Sequence, residues 1–278
     1  MAETILVTGG TGKTGRRVAR RLRERGVAAR VASRSGTRPD GVRFDWHDPS
    51  TFTPALEGID AIYLVAPVDT TAALTSMRPF LELALRRGTR RFVLLSAASL
   101  ESGGPMMGEV HAWLATHAPE WIALRPSWFM QNFSESHHLP SIRDEGVIRS
   151  ATGDGRVGFV DAEDIAAVAV EALLVTAIPN GERVLTGPEA LSYDDVARIL
   201  GDALGRKVRH ERLAPDALAA GLRGAGVDAG IAALLAGMDA SIAAGSEDRV
   251  TDEVRSVTGR PPGSFEAFVQ REMSLGRP

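Results

Sequence analysis

The stretch ILVTGGTGKTG, Ile5–Gly15, decides the fold of this 278-residue chain. Its GKT is typical of a nucleoside-triphosphate loop, which needs G-x-x-x-x-G-K-[ST]. Five residues before Gly12, however, stands Val7 instead of glycine. The later apolar run AIYLVAP also ends in Ala66 and Pro67, where triphosphate-binding enzymes usually carry a magnesium-binding aspartate. The triphosphate interpretation therefore fails on both points.

A dinucleotide-binding loop fits the same glycines. Residues 10–15 match G-x-G-x-x-G, with an apolar strand pattern before them and an amphipathic helix pattern after them. Backbone N–H groups at the start of that helix would face a pyrophosphate, with the helix dipole behind them. Lys13 is interpreted as a charge beside the phosphates and not as a catalyst. The predicted cofactor contacts in this loop are Gly9, Thr11, Gly12, Lys13, Thr14 and Gly15.

Apolar runs alternate with helical patterns through the N-terminal half, which indicates parallel strands joined by crossover helices. We therefore predict an α/β fold with a Rossmann-type doubly wound parallel sheet. The predicted strands are Thr4–Val7, Ala29–Ala32, Val42–Asp45, Ala61–Ala66, Arg91–Ser96 and Trp121–Arg125. The predicted helices between them cover about Thr14–Arg25, Ala72–Arg87 and Met107–His117.

The pattern loosens beyond about residue 134, where helical, alanine-rich segments dominate. We predict an NAD(P)-binding Rossmann domain over residues 1–150. Residues 151–278 are predicted to form a smaller, mostly helical substrate-binding portion, partly interleaved with the sheet.

Composition and charge exclude several classes of protein. The net charge is −3 and the isoelectric point is near 6.1, so no general attraction to nucleic acid or to anionic membranes is expected. The absence of cysteine excludes disulfides, thiolate metal sites and a cysteine nucleophile. The six histidines show no metal-binding spacing, so we expect no metal site. His137 and His138 are interpreted as a surface-loop pair.

The location and assembly of the chain are also predicted. No apolar run reaches the roughly 18 residues of a membrane helix, and MAETILVTGG leads directly into a strand without a signal-peptide pattern. We expect a cytoplasmic protein, monomeric or homodimeric, without nucleic-acid or membrane partners. Six arginines between positions 16 and 25 are expected to form a solvated basic helix face.

The end of the second predicted strand indicates which dinucleotide is bound. NAD-preferring sites carry an acidic residue there, which accepts hydrogen bonds from the ribose and repels a 2′-phosphate. This strand ends in VASRSGTR, with Ser33 and Arg34 and no carboxylate. Because a guanidinium suits a phosphate dianion, the sequence favours NADP(H). NAD(H) stays the alternative if Arg34 is only a solvated surface arginine.

Together with the loop, the segments FDWHDPSTFTPALEGIDAIYLVAP, RFVLLSAAS, LRPSWFMQNF and GDGRVGFVDAEDIA resemble the NmrA-like branch of the atypical short-chain dehydrogenases/reductases. The resemblance covers nearly the whole chain and is closest to bacterial NAD(P)H quinone-reductase-like members and to ergot-alkaloid iminium reductases. It implies further cofactor contacts: Asp45 and Trp46 near the adenine, Ala66 and Pro67 at the fourth strand, Ser96 and Ala97 beside the nicotinamide, and Pro126 and Trp128 beside its carboxamide.

The chain lacks the pair of residues that donates a catalytic proton in most of this superfamily. No tyrosine has a lysine four residues on, so the usual Tyr-x-x-x-Lys pair is absent. In the corresponding helix, GPMMGEVHAWLATH, Met107 and His111 stand on one face. His111 is the candidate proton donor, and Ser96 is a second candidate catalytic residue. The alternatives are an ordinary helix-face histidine and a simple polar strand end.

The substrate wall is predicted in SWFMQNFSESHH, residues 127–138, and Met107 and His111 are further predicted substrate residues. Trp128, Phe129 and Phe133 would line an apolar slot for a flat ring system, and Asn132 would hydrogen-bond a quinone oxygen. The alternative is that about half of these aromatic residues belong to the core.

The predicted function is hydride transfer from NAD(P)H to a quinone-like or other electron-poor polycyclic aromatic acceptor, because such acceptors tolerate a site without a strong acid. In aromatic polyketide and antibiotic biosynthesis, a hydroquinone product reacts with oxygen, which would give a net hydroxylation and a monooxygenase-type outcome. One alternative is an iminium reductase. The other is a redox-sensing NmrA-type regulator that binds the dinucleotide without turnover.

Overall fold

The computed structural model describes residues 3–67, 70–174 and 179–274. In these ranges the strands are β1 (Thr4–Val7), β2 (Ala28–Ser33), β3 (Gly41–Arg43), β4 (Ala61–Val65), β5 (Arg91–Leu95), β6 (Glu120–Pro126), β7 (Val147–Ser150), β8 (Arg156–Val157), β9 (Gly181–Leu185), β10 (Leu191–Ser192) and β11 (Arg209–Arg212).

The helices in the same ranges are α1 (Gly15–Glu24), α2 (Phe52–Ala55), α3 (Ala73–Arg86), α4 (Met107–His117), α5 (His138–Glu145), α6 (Ala162–Leu174), α7 (Tyr193–Leu204), α8 (Pro215–Gly224), α9 (Ala229–Ala243), α10 (Glu253–Thr258) and α11 (Phe265–Ser274). Short 3-10 turns cover Pro49–Thr51 and Met130–Asn132.

The chain forms two compact units that are each built from three segments. The first unit contains residues 1–126, 162–185 and 253–260, and the second contains residues 127–161, 186–252 and 261–278. This division differs from the predicted boundary after residue 150. The chain leaves the first unit at the end of β6 and returns for α6 and β9, because β9 pairs with β6 in the same sheet.

The first unit is built on one parallel sheet with the strand order β3-β2-β1-β4-β5-β6-β9. The predicted α/β fold with a doubly wound parallel sheet is confirmed, and the six predicted strands lie within a few residues of their predicted bounds. The apolar runs of β4 and β5 are buried along nearly their whole length, as expected for strands covered on both faces. The sequence did not predict that β9 extends this sheet.

Helix α1 carries many arginines but buries its apolar stripe, Val18, Ala19 and Leu22. Its basic face is largely paired within the first unit. Glu163, in the first turn of α6, pairs with Arg17, Arg20 and Arg21, while Arg25 pairs with Glu171 and Arg23 with Asp40. Arg16, Arg20, Arg23 and Arg25 are exposed, so the face is solvated as expected. Its ion pairs also connect α1 with α6 and with Asp40.

The second unit has its own core, in which Phe133, Phe159, Tyr193, Phe265 and Phe268 are fully buried. Its strands form two small pairs, parallel β7 with β11 and antiparallel β8 with β10. Helix α7 begins with a capping box between Ser192 and Asp195. In neither unit does a described helix combine the length and apolarity needed to cross a membrane.

Candidate active site

The glycine-rich loop forms a tight turn between β1 and α1. Gly9 has a φ of +58°, a left-handed conformation that favours glycine, and its carbonyl accepts a hydrogen bond from the N–H of Gly12 at 2.9 Å. At Gly15 a Cβ atom would lie 2.3 Å from the oxygen of Gly9. No larger residue fits there, so the loop and the start of α1 lie as close together as the predicted phosphate-binding turn requires.

A pocket of about 410 Å³ opens over this loop at the carboxyl ends of β1, β2 and β4. Its volume lies in the usual range of ligand pockets, and the glycine turn at its base fits a dinucleotide. Nine predicted cofactor residues line it: Gly9, Thr11, Gly12, Ser33, Arg34, Asp45, Trp46, Ala66 and Pro67. Sequence reasoning missed Ala32, Phe44, His47 and Val65, which lie next to predicted residues and line the same pocket.

Other predicted cofactor residues do not line this pocket. Thr14 and Gly15 are buried beneath the loop, while Lys13 is half-buried and its carbonyl accepts a hydrogen bond from Arg17. Ser96, Ala97 and Pro126 lie in the first unit, at the ends of β5 and β6.

The end of β2 carries hydroxyls and an exposed cation. Oγ of Ser33 accepts a hydrogen bond from the N–H of Gly36 at 3.1 Å, and Ser35 lies between Ser33 and Thr37 at hydroxyl distances of 3.5 and 3.4 Å. Arg34 is exposed and lines the pocket. Nearby Arg38 is paired with Asp40 at 3.1 Å, whereas Arg34 has no ion pair among the described residues.

The wall at Trp46 is held by its neighbours. The indole N–H of Trp46 donates to the carbonyl of Val65 at 3.1 Å, and the ring packs edge-on against Phe44 and Phe80 at centroid distances of 4.8 and 5.3 Å. The Asp45 carboxylate accepts a hydrogen bond from the N–H of His47 at 3.0 Å. This wall is therefore preorganised for a flat ring.

A polar cluster lies at the carboxyl end of β5. Nε2 of His111, on α4, lies 2.7 Å from Oγ of Ser96, and Nδ1 lies 3.2 Å from Oε1 of Glu182 on β9. The other carboxylate oxygen of Glu182 accepts a hydrogen bond from Nη1 of Arg125 at 2.5 Å. Arg125 also donates through Nη2 to the carbonyl of Ala98 at 2.8 Å. The cluster thus joins four elements of the first unit.

His111 is fully buried, and burial lowers its pKa below the usual 6.5. The carboxylate of Glu182 acts in the opposite direction, while the charge of Arg125 lowers the pKa further. The neutral imidazole is therefore the main form at neutral pH.

The structure brings together the two residues that the sequence selected for catalysis, Ser96 and His111, but it adds Glu182 and Arg125. Arg125 in WIALRP and Glu182 in GERVL are charged residues within strand patterns. Because a buried charge needs a partner, these charges were the signal in the sequence that could have indicated both residues. Their pairing depends on β9 lying beside β6, which no local pattern indicates. Met107 is half-buried and packs against the core of the first unit, and its contact with a substrate stays a prediction.

The predicted substrate residues 128–133 belong to the second unit. Trp128 and Phe129 are half-buried, and Phe129 forms a parallel bridge with Val160. Phe133 is fully buried and stacks on His138 at a centroid distance of 5.0 Å, which corrects its expected place in an open slot. The contacts of Trp128, Phe129 and Asn132 with a substrate stay predictions.

His138 is not part of a surface-loop pair, because it is buried at the start of α5. Burial holds its pKa well below the usual 6.5, and the neighbouring His137 adds to this effect. Among the residues that the structure describes, no group of three or more histidine, aspartate or glutamate side chains could hold a metal ion.

The glycine turn, the parallel sheet and the pocket at its carboxyl edge define a dinucleotide-binding protein of the Rossmann type. A family model described as NAD(P)H-binding matches residues 9–175, more than half of the chain. The chain therefore belongs to this NAD(P)H-binding family, and its resemblance to NmrA-like short-chain dehydrogenases/reductases is confirmed.

Two curated relatives are similar over almost their full length. The uncharacterized oxidoreductase YesF of Bacillus subtilis is 45% identical over 267 residues, covering 95% of this chain and 93% of the relative. Agroclavine dehydrogenase of Claviceps fusiformis is 43% identical over 279 residues, covering 96% of each chain. The protein is thus an NAD(P)H-dependent oxidoreductase.

Among solved structures, the NADPH-dependent quinone oxidoreductase QOR2 of Escherichia coli, complexed with NADPH, superposes with a TM-score of 0.82. The match covers 97% of this chain and 99% of the other at 21% identity, so it supports the fold alone.

Proposed function

We propose that the protein is an NADPH-dependent reductase that transfers hydride to a quinone-like or other electron-poor aromatic acceptor. The observation that carries this proposal is the Ser96–His111 pair, at 2.7 Å, at the carboxyl end of β5, in the same sheet whose carboxyl edge holds the dinucleotide pocket. Ligands of open parallel sheets bind at this edge. No Tyr-x-x-x-Lys pair is present to serve an ordinary ketone.

The preference for NADPH rests on Arg34. Its exposed guanidinium lines the pocket together with the hydroxyl-bearing Ser33. No carboxylate at the end of β2 would repel a 2′-phosphate. The Arg34 guanidinium, which has no ion pair within the described part of the chain, would bind one through charge-assisted hydrogen bonds.

The acceptor side is proposed from chemistry and from sequence. Hydride transfer to a quinone leaves a phenolate-like oxygen, whose conjugate acid titrates near the pKa of tyrosine, about 10. This product needs less help from a strong acid than an alkoxide does. Trp128, Phe129 and Asn132 are the proposed contacts for the ring system and its oxygen. Reaction of the hydroquinone with oxygen would give the monooxygenase-type outcome, as in aromatic antibiotic pathways.

A second candidate, iminium reduction, is favoured by the relative named agroclavine dehydrogenase, which is 43% identical over 96% of this chain. Hydride transfer to an iminium cation gives a neutral amine and needs no proton. Its site would therefore not require the Ser96–His111 pair.

The test mixes the purified protein with NADPH or NADH and with a panel of quinones or a cyclic N-alkyl iminium salt. Loss of the NADPH absorbance that depends on both protein and quinone supports the proposal. Oxidation with the iminium salt alone favours the second candidate. Tight NADPH binding without oxidation by any acceptor would instead indicate the regulator of the NmrA type.

A further inference from the structure

We propose that Glu182 and Arg125 are positioning residues that hold His111 for proton transfer through Ser96, and that the acceptor is therefore an uncharged quinone and not an iminium cation. The inference rests on the proposed reductase function and names the acceptor class for the same site. Neither Glu182 nor Arg125 lines the dinucleotide pocket. Glu182 contacts the ring of His111, and Arg125 contacts Glu182.

The two ring nitrogens of His111 have different partners. An ionised carboxylate only accepts hydrogen bonds, so Nδ1 of His111 must carry the proton that it shares with Glu182 at 3.2 Å. In the neutral ring, Nε2 is then an acceptor for the hydroxyl of Ser96 at 2.7 Å. When the ring is protonated, Nε2 donates to Ser96 instead, and the hydroxyl hydrogen of Ser96 is released for another acceptor.

Arg125 stabilises both ends of this arrangement. Its guanidinium donates to the Glu182 carboxylate, and its bond to the carbonyl of Ala98 holds the segment that follows Ser96. Backbone bonds fix the same segment, since the N–H of Ser96 donates to Leu124 at 2.7 Å and that of Ala98 to Pro126 at 2.9 Å. The backbone of residues 96–98 is therefore hydrogen-bonded to β6 at both of its ends.

The charged groups that face His111 come from two strands, Arg125 from β6 and Glu182 from β9. The pKa of His111 is lowered by burial and by Arg125, and the Glu182 carboxylate partly offsets this effect. A lower pKa makes the imidazolium a stronger proton donor but a less populated one at neutral pH. Proton delivery therefore becomes faster as the pH falls toward the pKa of His111.

The proposed step balances protons and electrons. Hydride transfer adds two electrons and one proton to a quinone and leaves an oxyanion. Ser96 gives its hydroxyl proton to that oxyanion while Nε2 of the imidazolium returns a proton to Ser96. His111 is then neutral, and its Nδ1–H still donates to Glu182. The Glu182 side chain is 21% exposed, so it connects the buried ring to water, from which the ring is reprotonated. An iminium cation would make no use of this proton.

The experiment compares Glu182→Gln with Glu120→Gln. Glu120 is a matched control because it also forms an ion pair in the same sheet, with Arg91 at 2.6 Å, but at the opposite end of β6. For each variant, kcat is measured with a quinone and with an N-alkyl iminium salt. We expect the quinone-to-iminium ratio to fall at least about tenfold in Glu182→Gln and to stay unchanged in Glu120→Gln.

The pH profile separates positioning from a structural role. Without the Glu182 carboxylate, Arg125 alone acts on His111, so its pKa decreases. The loss of quinone turnover with rising pH should then occur at lower pH in Glu182→Gln. NMR titration of the His111 ring gives the same readout without turnover, so it also tests the positioning role if no acceptor is reduced.

An unchanged ratio and an unchanged His111 titration in Glu182→Gln would overturn the inference, while the reductase function would stand. If Glu182→Gln does not fold, Ser96→Ala removes one oxygen and is expected to lower the same ratio. An unchanged ratio in Ser96→Ala would also overturn the inference. Failure of the wild-type protein to oxidise NADPH with any acceptor would instead refute the proposed function.

Discussion

Nε of Arg17 donates to Oε1 of Glu163 at 3.0 Å, although 146 positions separate the two residues in the chain. The side chain of Arg17 is only 9% exposed, so this guanidinium depends on the carboxylate. Because α1 begins at the phosphate-binding loop, the pair also supports the position of that loop.

We expect Glu163→Gln to lower the free energy of unfolding by about 1–3 kcal/mol, because a largely buried guanidinium loses its anionic partner. Arg20 and Arg21 lose the same partner. Denaturant unfolding provides the measurement. Glu24→Gln is the control, since Glu24 forms an exposed pair with Arg20 at 3.6 Å and should matter little. Equal effects of the two substitutions would contradict this view of α1.

Arg34→Asp tests the cofactor preference. The substitution removes the proposed partner of the 2′-phosphate and places a carboxylate where it repels that group. We expect the affinity for NADPH to fall at least about tenfold more than the affinity for NADH, measured by calorimetry. Arg38→Asp makes the same charge change nearby, but Arg38 is paired with Asp40 and does not line the pocket. A similar loss for both dinucleotides in Arg34→Asp would refute the assignment.

His111→Asn tests the proton donor. We expect kcat for a quinone to fall about 10²-fold, the lower part of what general acid catalysis contributes, with little change in the dissociation constant for NADPH. His117→Asn is the control on the same helix, because its Nδ1 bonds the carbonyl of Trp113 and it takes no part in the cluster. Unchanged turnover in His111→Asn would remove His111 from the mechanism.

Asp239 gives the second unit a dependence of stability on pH. Burial raises the pKa of its carboxyl from 3.8 to about 6, although the N–H of Ala151 donates to it at 2.8 Å. Between these values the folded chain binds more protons than the unfolded chain. The stability supplied by the protonated carboxyl is therefore complete below pH 3.8 and is lost as the pH rises through about 6.

Asp239→Asn keeps an oxygen for the N–H of Ala151 but stays neutral. We expect its free energy of unfolding, relative to that of the wild type, to rise by about 2–3 kcal/mol between about pH 4 and pH 7. Thermal or denaturant unfolding over this range provides the measurement. Asp202→Asn, at an exposed position on α7, should show no such trend. A flat difference for Asp239→Asn would contradict the raised pKa.

The parts of the fold that follow from local pattern could be predicted from the sequence. The glycine loop, the strands through Arg125 and helix α4 depend on apolar periodicity and on turn residues close in the chain. Nine predicted residues between Gly9 and Pro67 line one pocket, because they follow the carboxyl ends of neighbouring parallel strands. Their contacts with a cofactor stay predictions.

What could not be predicted depends on distant pairing. Glu182 reaches His111 only because β9 adds to the edge of β6, and the distance of 71 positions between them leaves no local signal. The burial of Phe133 and His138 has the same origin, since both pack on Tyr193, which lies in another segment of the chain.

Neither unit is a continuous piece of chain, which constrains how the protein is synthesised and how it can be divided. The last segment of the first unit, residues 253–260, leaves the ribosome only after most of the second unit has been made. No single truncation of the chain yields either unit whole. Recombination that replaces one unit with the corresponding unit of a relative would need several crossover points. We expect inheritance of the whole chain, with variation confined to substitutions and loop insertions.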